Sequence, residues 1–327
     1  MGKFANFMKY SLLLVWSFVC IFPVYWLVVA SFKSPNDQFD GPSYVPFVDF
    51  QPTLEAWSFI LADAHENLLW PFLNSLITSL AATFIAVLLA GFAVYGVTRF
   101  PTRESKFSVD GDHLLFWMMV TRVLPPVVLV LPLYLMAQKS GTLDTVFPLI
   151  FAYAAINLPV AIWLLRPVLG GKATEMEESA LLEGASHMRV FFEFVLPVSA
   201  MGFAAVALIV FVLCWNEYLF AAFLTTNNAM TLSPWAIGQL SVKEAQVGGE
   251  AEEWAHLSAA TVFMILPVLS AAIFVQRFLS KMSFWRSNRS ELLSQHQFDR
   301  VGKSNVTRKQ TASMMAEPPR QALRPPH

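Results

Sequence analysis

Apolar and polar positions fall in long blocks along this chain. Six apolar stretches, 10–32, 71–97, 113–137, 146–169, 198–225 and 256–280, each reach the length of about 20 residues that a helix needs to cross a bilayer core. Pro23, Pro125, Pro126, Pro132, Pro159 and Pro267 interrupt them, as happens where neighbouring helices re-satisfy the backbone. The pattern predicts an all-α integral membrane protein with six transmembrane helices. Residues 1–9 form an N-terminal segment, 33–70 a long loop after the first span, and 71–281 a five-helix domain. Residues 282–327 form a polar, basic, proline-containing tail with a disordered composition.

Lys and Arg set the orientation. Lys3 and Lys9, then Arg99, Arg103 and Lys106, then Arg166, Lys172 and Arg189, then Arg277 and Lys281 fall on one side. Lys33, Lys139 and Lys243 fall on the other. Both termini are expected in the cytoplasm. The first span exceeds a signal-peptide core, and no small-x-small cleavage site follows it, so it reads as an uncleaved anchor. Residues 34–70 contain an amphipathic stretch around Trp57, Ile60 and Leu61. With 226–253, this segment is long enough to have a function on the outer side.

One polar island on the cytoplasmic side stands out: 174–197, TEMEESALLEGASHMRVFFEFVLP. The stretch 175–183 lacks Gly and Pro and predicts a helix. Gly184 permits a sharp turn, Ser186 is placed to cap a second helix, and Pro197 marks entry to the next span. Continued helical phase puts Leu181, Ala185, Met188 and Phe192 near one face. The polar face carries Glu175, Glu177, Glu178, Glu183 and Glu193 against Arg189. A helix lying on lipid favours Lys and Arg there, so the pattern suits a cleft in a soluble partner better.

Composition adds exclusions. The chain is 56% hydrophobic and 14% charged, with mean hydropathy +0.52, which is far from the soluble average. A net charge of −1 offers no field for nucleic acid. Cys20 and Cys214 lie inside apolar spans and make no metal-ligand spacing. Gly170-Gly171-Lys172-Ala173 is too short for a phosphate loop, so ATP binding by this chain is not supported.

The spacing Glu178-Ser179-Ala180, Gly184, Leu196-Pro197 resembles the EAA loop of type I ABC importer permeases. Further strings agree in order over 72–281 with the carbohydrate branch, the inner subunits related to maltose importers. They are Leu131-Pro132-Leu133-Tyr134, Gly141-Thr142-Leu143-Asp144-Thr145, Asn157-Leu158-Pro159 with Trp163, Trp215-Asn216-Glu217-Tyr218-Leu219-Phe220, Leu257-Ser258-Ala259-Ala260 with Leu266-Pro267, and Gln276-Arg277. The resemblance implies a MetI-like bundle. It also implies a second permease, an ATPase dimer holding ATP and Mg, and an external solute-binding protein. Coupling to the ATPase falls, by resemblance, to Glu178, Ser179, Ala180, Gly184, Ala185, Leu196 and Pro197. Ser179 and Glu183 replace the family's usual Ala and Asp. From Trp285 onward the chain departs from the family's short ending, which fits a frame-shifted extension and puts any contact of the tail with the ATPase in doubt.

Other candidates are open to two readings each. Arg122, inside the third span, is either a pore-side group or an ion-paired or snorkelling charge. Asn216 and Glu217 line a translocation path or join Trp215 and Tyr218 in an interfacial belt. Asp144 reads as a simple helix cap. The reading is a permease subunit, not an enzyme, that moves a sugar or polyol across the cytoplasmic membrane by alternating access. One rival is a permease for a non-sugar solute. The other is a membrane-embedded enzyme, for which Arg122 and Glu217 are the polar candidates, expected toward opposite membrane faces.

Overall fold

The computed structural model describes residues 2–34, 36–38, 43–62, 68–100, 111–169, 174–241 and 254–278. The tail 282–327, the loop residues 242–253, and Arg103, Lys106, Lys172 and Lys243 lie outside the described residues. The helices are α1 Gly2–Ala30, α2 Glu55–Ala62, α3 Leu69–Arg99, α4 Gly111–Val120, α5 Pro126–Lys139, α6 Val146–Leu169 and α7 Thr174–Leu182. They continue with α8 His187–Val198, α9 Ala200–Trp215, α10 Leu219–Leu224, α11 Leu232–Ser241 and α12 Trp254–Phe278. The chain divides into Met1–Val275 and a second unit from Gln276, of which the last turn of α12 is described.

By length and composition, α1 from Phe4, α3, α6 and α12 can each cross a membrane. Counting two bent pairs as spans gives up to six. The expected third span is one of these pairs. Its α4 end, extended by a turn at Thr121–Val123, meets α5 at 87°. The cause is local: the residue before a proline is pushed out of the helical region. Leu124 before Pro125, and Pro125 before Pro126, are accordingly both extended, with ψ 127 and 129. The expected fifth span, 198–225, is also corrected. Helix α8 meets α9 at 82° around Ser199, and the last part is the separate helix α10 beyond a break at 216–218.

The core is apolar, and small residues at helix contacts let its backbones approach closely. Along α3 much of the inward face is small or hydroxylic, with Ser75, Ser79, Ala82, Ala86 and Ala90 spaced by three and four and Gly91 beside them. Ile77, Leu80, Phe84 and Leu89 on its other faces are exposed. Lipid supplies no hydrophobic drive between helices, so close backbone approach and van der Waals contact must hold them. Helix α3 packs against α6 and α9. A Cβ on Gly202 of α9 would overlap the Val168 side chain of α6, so glycine lets the two helices cross this closely. Phe191, fully buried, fills the junction between α3 and α9, its ring 4.7 Å from Phe92 and 6.4 Å from Phe203.

Helices α3 and α6 run side by side and end together, where Arg99 of α3 bonds the Leu169 carbonyl of α6. We refer to this as the elbow end. At the opposite, far end, α2, α11 and the start of α12 enclose a second apolar cluster with Ile60, Trp215, Leu232 and Trp235. Of the expected amphipathic stretch, Ile60 is buried and Leu61 is exposed. Helix α1 already begins at Gly2 and is exposed over most of its length, packing through its final turns. Beyond it, Lys33 is buried with its ammonium 4.4 Å from the Trp26 ring centre and 5.5 Å from that of Phe50. Burial pulls its pKa down, and Asp37 and Asp49 oppose that.

Candidate functional site

The polar island folds as a bent helix pair, α7 and α8. Its turn is closed by two backbone bonds: Gly184 N–H donates to Leu181 O at 3.0 Å, and Ala185 N–H donates to Ala180 O at 3.0 Å. This is the Schellman arrangement, which needs a left-handed residue. Gly184 supplies it, with φ +90. Ser186 then caps α8, its hydroxyl accepting from Arg189 N–H at 3.3 Å. Arg189 and Glu193 pair one turn apart at 2.9 Å on the exposed side of α8.

The motif residues separate by face. Glu178 and Ser179 are exposed, while Ala180 is buried and Ala185 half-buried against the bundle. The expected single apolar ridge is corrected. Leu181 and Ala185 pack inward, whereas Met188 is 58% and Phe192 45% exposed, because the left-handed turn resets helical phase between α7 and α8. Leu182, 90% exposed, projects from the same elbow. Leu196 is half-buried and Pro197 exposed. Proline lacks an N–H, and just before Pro197 the backbone widens, Leu196 N–H reaching back five residues to Phe191 O. One residue after this wide turn and proline the chain turns at Ser199 into α9.

The sequence placed Glu177 on the polar face with Glu178; that expectation is corrected, since Glu177 is 2% exposed and faces inward. Arg99 grips it with two bonds, Nε to Oε2 at 2.6 Å and Nη2 to Oε1 at 2.8 Å. The same Nη2 reaches Leu169 O at 3.3 Å. One guanidinium thus ties α7 to the ends of α3 and α6, in the planar, two-bond geometry that makes Arg–carboxylate pairs strong and directional. A signal was available: Glu177 shares the i, i+3, i+4 face with Ala180 and Leu181, the residues that pack inward.

The candidates inside the bundle are rearranged. The Arg122 partners are neutral: Nη1 bonds Ile156 O, and Asn157 Oδ1 at 3.3 Å. Its own residue stays exposed on the chain surface. Asn157 Nδ2 continues to Cys214 Sγ at 3.3 Å, and Glu217 N–H bonds Cys214 O at 3.3 Å. A chain of bonds through Asn157 and Cys214 thus connects Arg122 to the Glu217 backbone. The Glu217 carboxylate accepts Phe220 N–H at 3.0 Å and Ala221 N–H at 3.4 Å, so it caps α10. Asn216 is exposed and bonds Val212 O at 2.8 Å. Asp144 is not a simple cap of α6. It binds a loop more than 80 residues away in sequence. Among the described residues no His, Cys, Asp and Glu cluster is arranged to hold a metal.

Residues 106–284, more than half the chain, match the family described as binding-protein-dependent transport system inner membrane component. The chain is 30% identical to the diacetylchitobiose uptake system permease protein NgcG of Streptomyces coelicolor, over 82% of this chain and 84% of that one. It is 29% identical to the probable ABC transporter permease protein y4oR of Sinorhizobium fredii, covering 81% of this chain and 89% of the other. Identity to the trehalose/maltose transport system permease protein MalG of Thermococcus litoralis is 26%, covering 80% and 88%. The fold matches that of a chain in a bacterial ABC transporter involved in import of the acidic polysaccharide alginate, with TM-score 0.64 and 18% identity over 84% of this chain and 96% of that one. Matched family, near-full-length relatives and shared fold agree, and the chain belongs to the binding-protein-dependent inner membrane components, the permease subunits of ABC importers.

Proposed function

We propose that this permease carries a sugar or polyol, and that the α7–α8 elbow is where a separate ATPase drives it. The observation that carries the coupling is the elbow's two-sided construction. Its inner face is tied to the bundle through Ala180 and the Glu177–Arg99 bonds. Its outer face leaves Glu178, Ser179, Leu182 and Met188 exposed for a partner. A rigid knob of mixed acidic and apolar character suits a cleft in a soluble subunit. Gly184, Ala185, Leu196 and Pro197 shape the knob and its exit into α9. ATP and Mg belong to that ATPase. The elbow can bias the pore only if the ATPase grips it differently in its two nucleotide states.

Arg99, Arg166 and Arg189 lie toward the elbow end, whereas Lys33 and Lys139 lie toward the far end. This supports a cytoplasmic elbow and cytoplasmic termini. A second permease completes the pore, an external binding protein delivers solute to the far end, and alternating access moves it. Exposed Arg122 and Asn216 are the path-facing candidates here, while Glu217, engaged as a cap, acts by holding α10 in place. The printed substrates of the relatives, diacetylchitobiose and trehalose/maltose, support a carbohydrate cargo.

The importer is to be purified with its co-expressed partners and reconstituted in liposomes. Uptake of labelled trehalose, maltose and diacetylchitobiose is measured for wild type and for Glu178→Lys. The expected result is uptake of at least one sugar, abolished by Glu178→Lys although the variant inserts and is stable. Full-rate uptake by the variant overturns the coupling assignment. Uptake of amino acids but of no sugar or polyol overturns the cargo.

A further inference from the structure

At the far end a single carboxylate holds a complete turn of chain. Asp144 lies between α5 and α6 with φ +59, a left-handed conformation that Asp and Asn tolerate better than most residues other than glycine. Its own N–H donates to Leu224 O at 3.0 Å. Its Oδ1 accepts Thr226 N–H at 2.8 Å and Ala229 N–H at 3.2 Å. Its Oδ2 accepts Asn227 N–H at 3.3 Å, Asn228 N–H at 3.1 Å and Asn228 Nδ2 at 3.1 Å. Four successive N–H groups thus form an anion-binding nest, filled by an acid from another part of the chain.

The carbonyl side of the same turn is held from α3. Asn74 Nδ2 donates to Asn228 O at 3.0 Å and to Met230 O at 3.1 Å, and Ser75 Oγ accepts Leu232 N–H at 2.7 Å. Helix α11 starts at Leu232, directly after these bonds. The side chains of Thr226, Asn227 and Asn228 remain exposed at the tip.

Burial opposes ionisation of Asp144, but the N–H groups of Thr226, Asn228, Ala229 and Asn227 outweigh it and bring its pKa from 3.8 to about 2. A lowered carboxyl pKa stabilises the clasp above the ordinary value, and that contribution is lost as pH falls through about 2. The carboxylate is therefore ionised near neutral pH, the form that the four N–H groups hold. A turn fixed in advance loses less entropy when a partner binds it.

We infer that Asp144 and Asn74 are positioning residues that preset the 226–230 turn, and helix α11 behind it, for docking of the external solute-binding protein. This rests on the importer reading above. The exposed tip Thr226-Asn227-Asn228 offers hydrogen-bonding side chains and no charge of its own to that partner. The turn lies at the end of the bundle away from the elbow, where delivery from outside has to occur.

The test uses the reconstituted importer with wild-type partners. Solute-loaded binding protein is titrated against ATPase rate and uptake for wild type, Asp144→Asn, Asp144→Ala and Asn74→Ala. Loss of one side of the clasp is expected to raise the half-saturating concentration of binding protein roughly fivefold or more. The basal ATPase rate and the maximal stimulated rate should stay unchanged. The Asp144→Ala, Asn74→Ala pair should shift it by less than the product of the single effects, because both residues hold one turn. Unchanged half-saturation in Asn74→Ala and Asp144→Asn overturns the inference, as does a lower maximal rate at constant half-saturation. If Asp144→Ala fails to assemble, the other two variants decide. A wild-type importer that ignores the binding protein defeats the importer reading itself, and this inference with it.

Discussion

Glu177 and Glu178 are adjacent and chemically alike, yet one is buried under Arg99 and the other meets solvent. Helical geometry turns successive residues by about 100°, so neighbours in sequence serve opposite faces. Gly184 is the other decisive single residue. A Cβ there would meet nothing within 4 Å, so substitution costs only torsional strain at φ +90. The expected order of tolerance is Gly, Asn, Ala, Val, with Ala costing about 1–2 kcal/mol and a β-branched residue more. Thermal unfolding in detergent and uptake rate, measured on the series, should fall together in that order. A valine variant with wild-type stability and uptake would remove the turn from the argument.

At the level of elements, the bends matter more than the spans. The Gly184 turn and the Ser186 cap were legible because their hydrogen bonds close within five residues. The bend at Pro125–Pro126 was also written locally, but hydropathy averages carry no backbone direction and merged two helices into one span. The crossing of α6 and α9 was not legible, since Gly202 reads as an ordinary helix glycine until Val168 is seen against it. Gly202→Ala forces Val168 aside and should cost roughly 1–3 kcal/mol. Val168→Ala in the same chain should recover much of that loss. Thermal midpoints of the two single variants and the pair measure it, and strict additivity would mean the contact is not the cause.

For the whole molecule, the coupling problem is how motion at the elbow reaches a pore. Arg99 offers a direct route, joining α7 to the ends of α3 and α6; α3 carries the far-end contact at Asn74, and α6 begins two residues after Asp144. Breaking one partner of a mostly buried pair leaves an uncompensated charge, so Glu177→Leu should destabilise by about 3 kcal/mol. The paired change Arg99→Leu, Glu177→Leu should restore stability and still lower the sugar carried per ATP hydrolysed, because an apolar contact lacks the two-bond geometry. Stability and transport ratio recovering together in the pair would make the bridge a fold element and nothing more.

Composition and local order settled that this chain lives in a membrane, that its spans are interrupted, and that a capped acidic elbow separates two of them. These depend on side-chain hydropathy and on hydrogen bonds between residues a few positions apart, which a linear string contains. Which glutamate faces inward, where Arg122 finds its partners, and which carboxylate holds the 226–230 turn were decided by packing. Those contacts join residues 34 to 85 positions apart, and their partners are fixed only once the helices pack together.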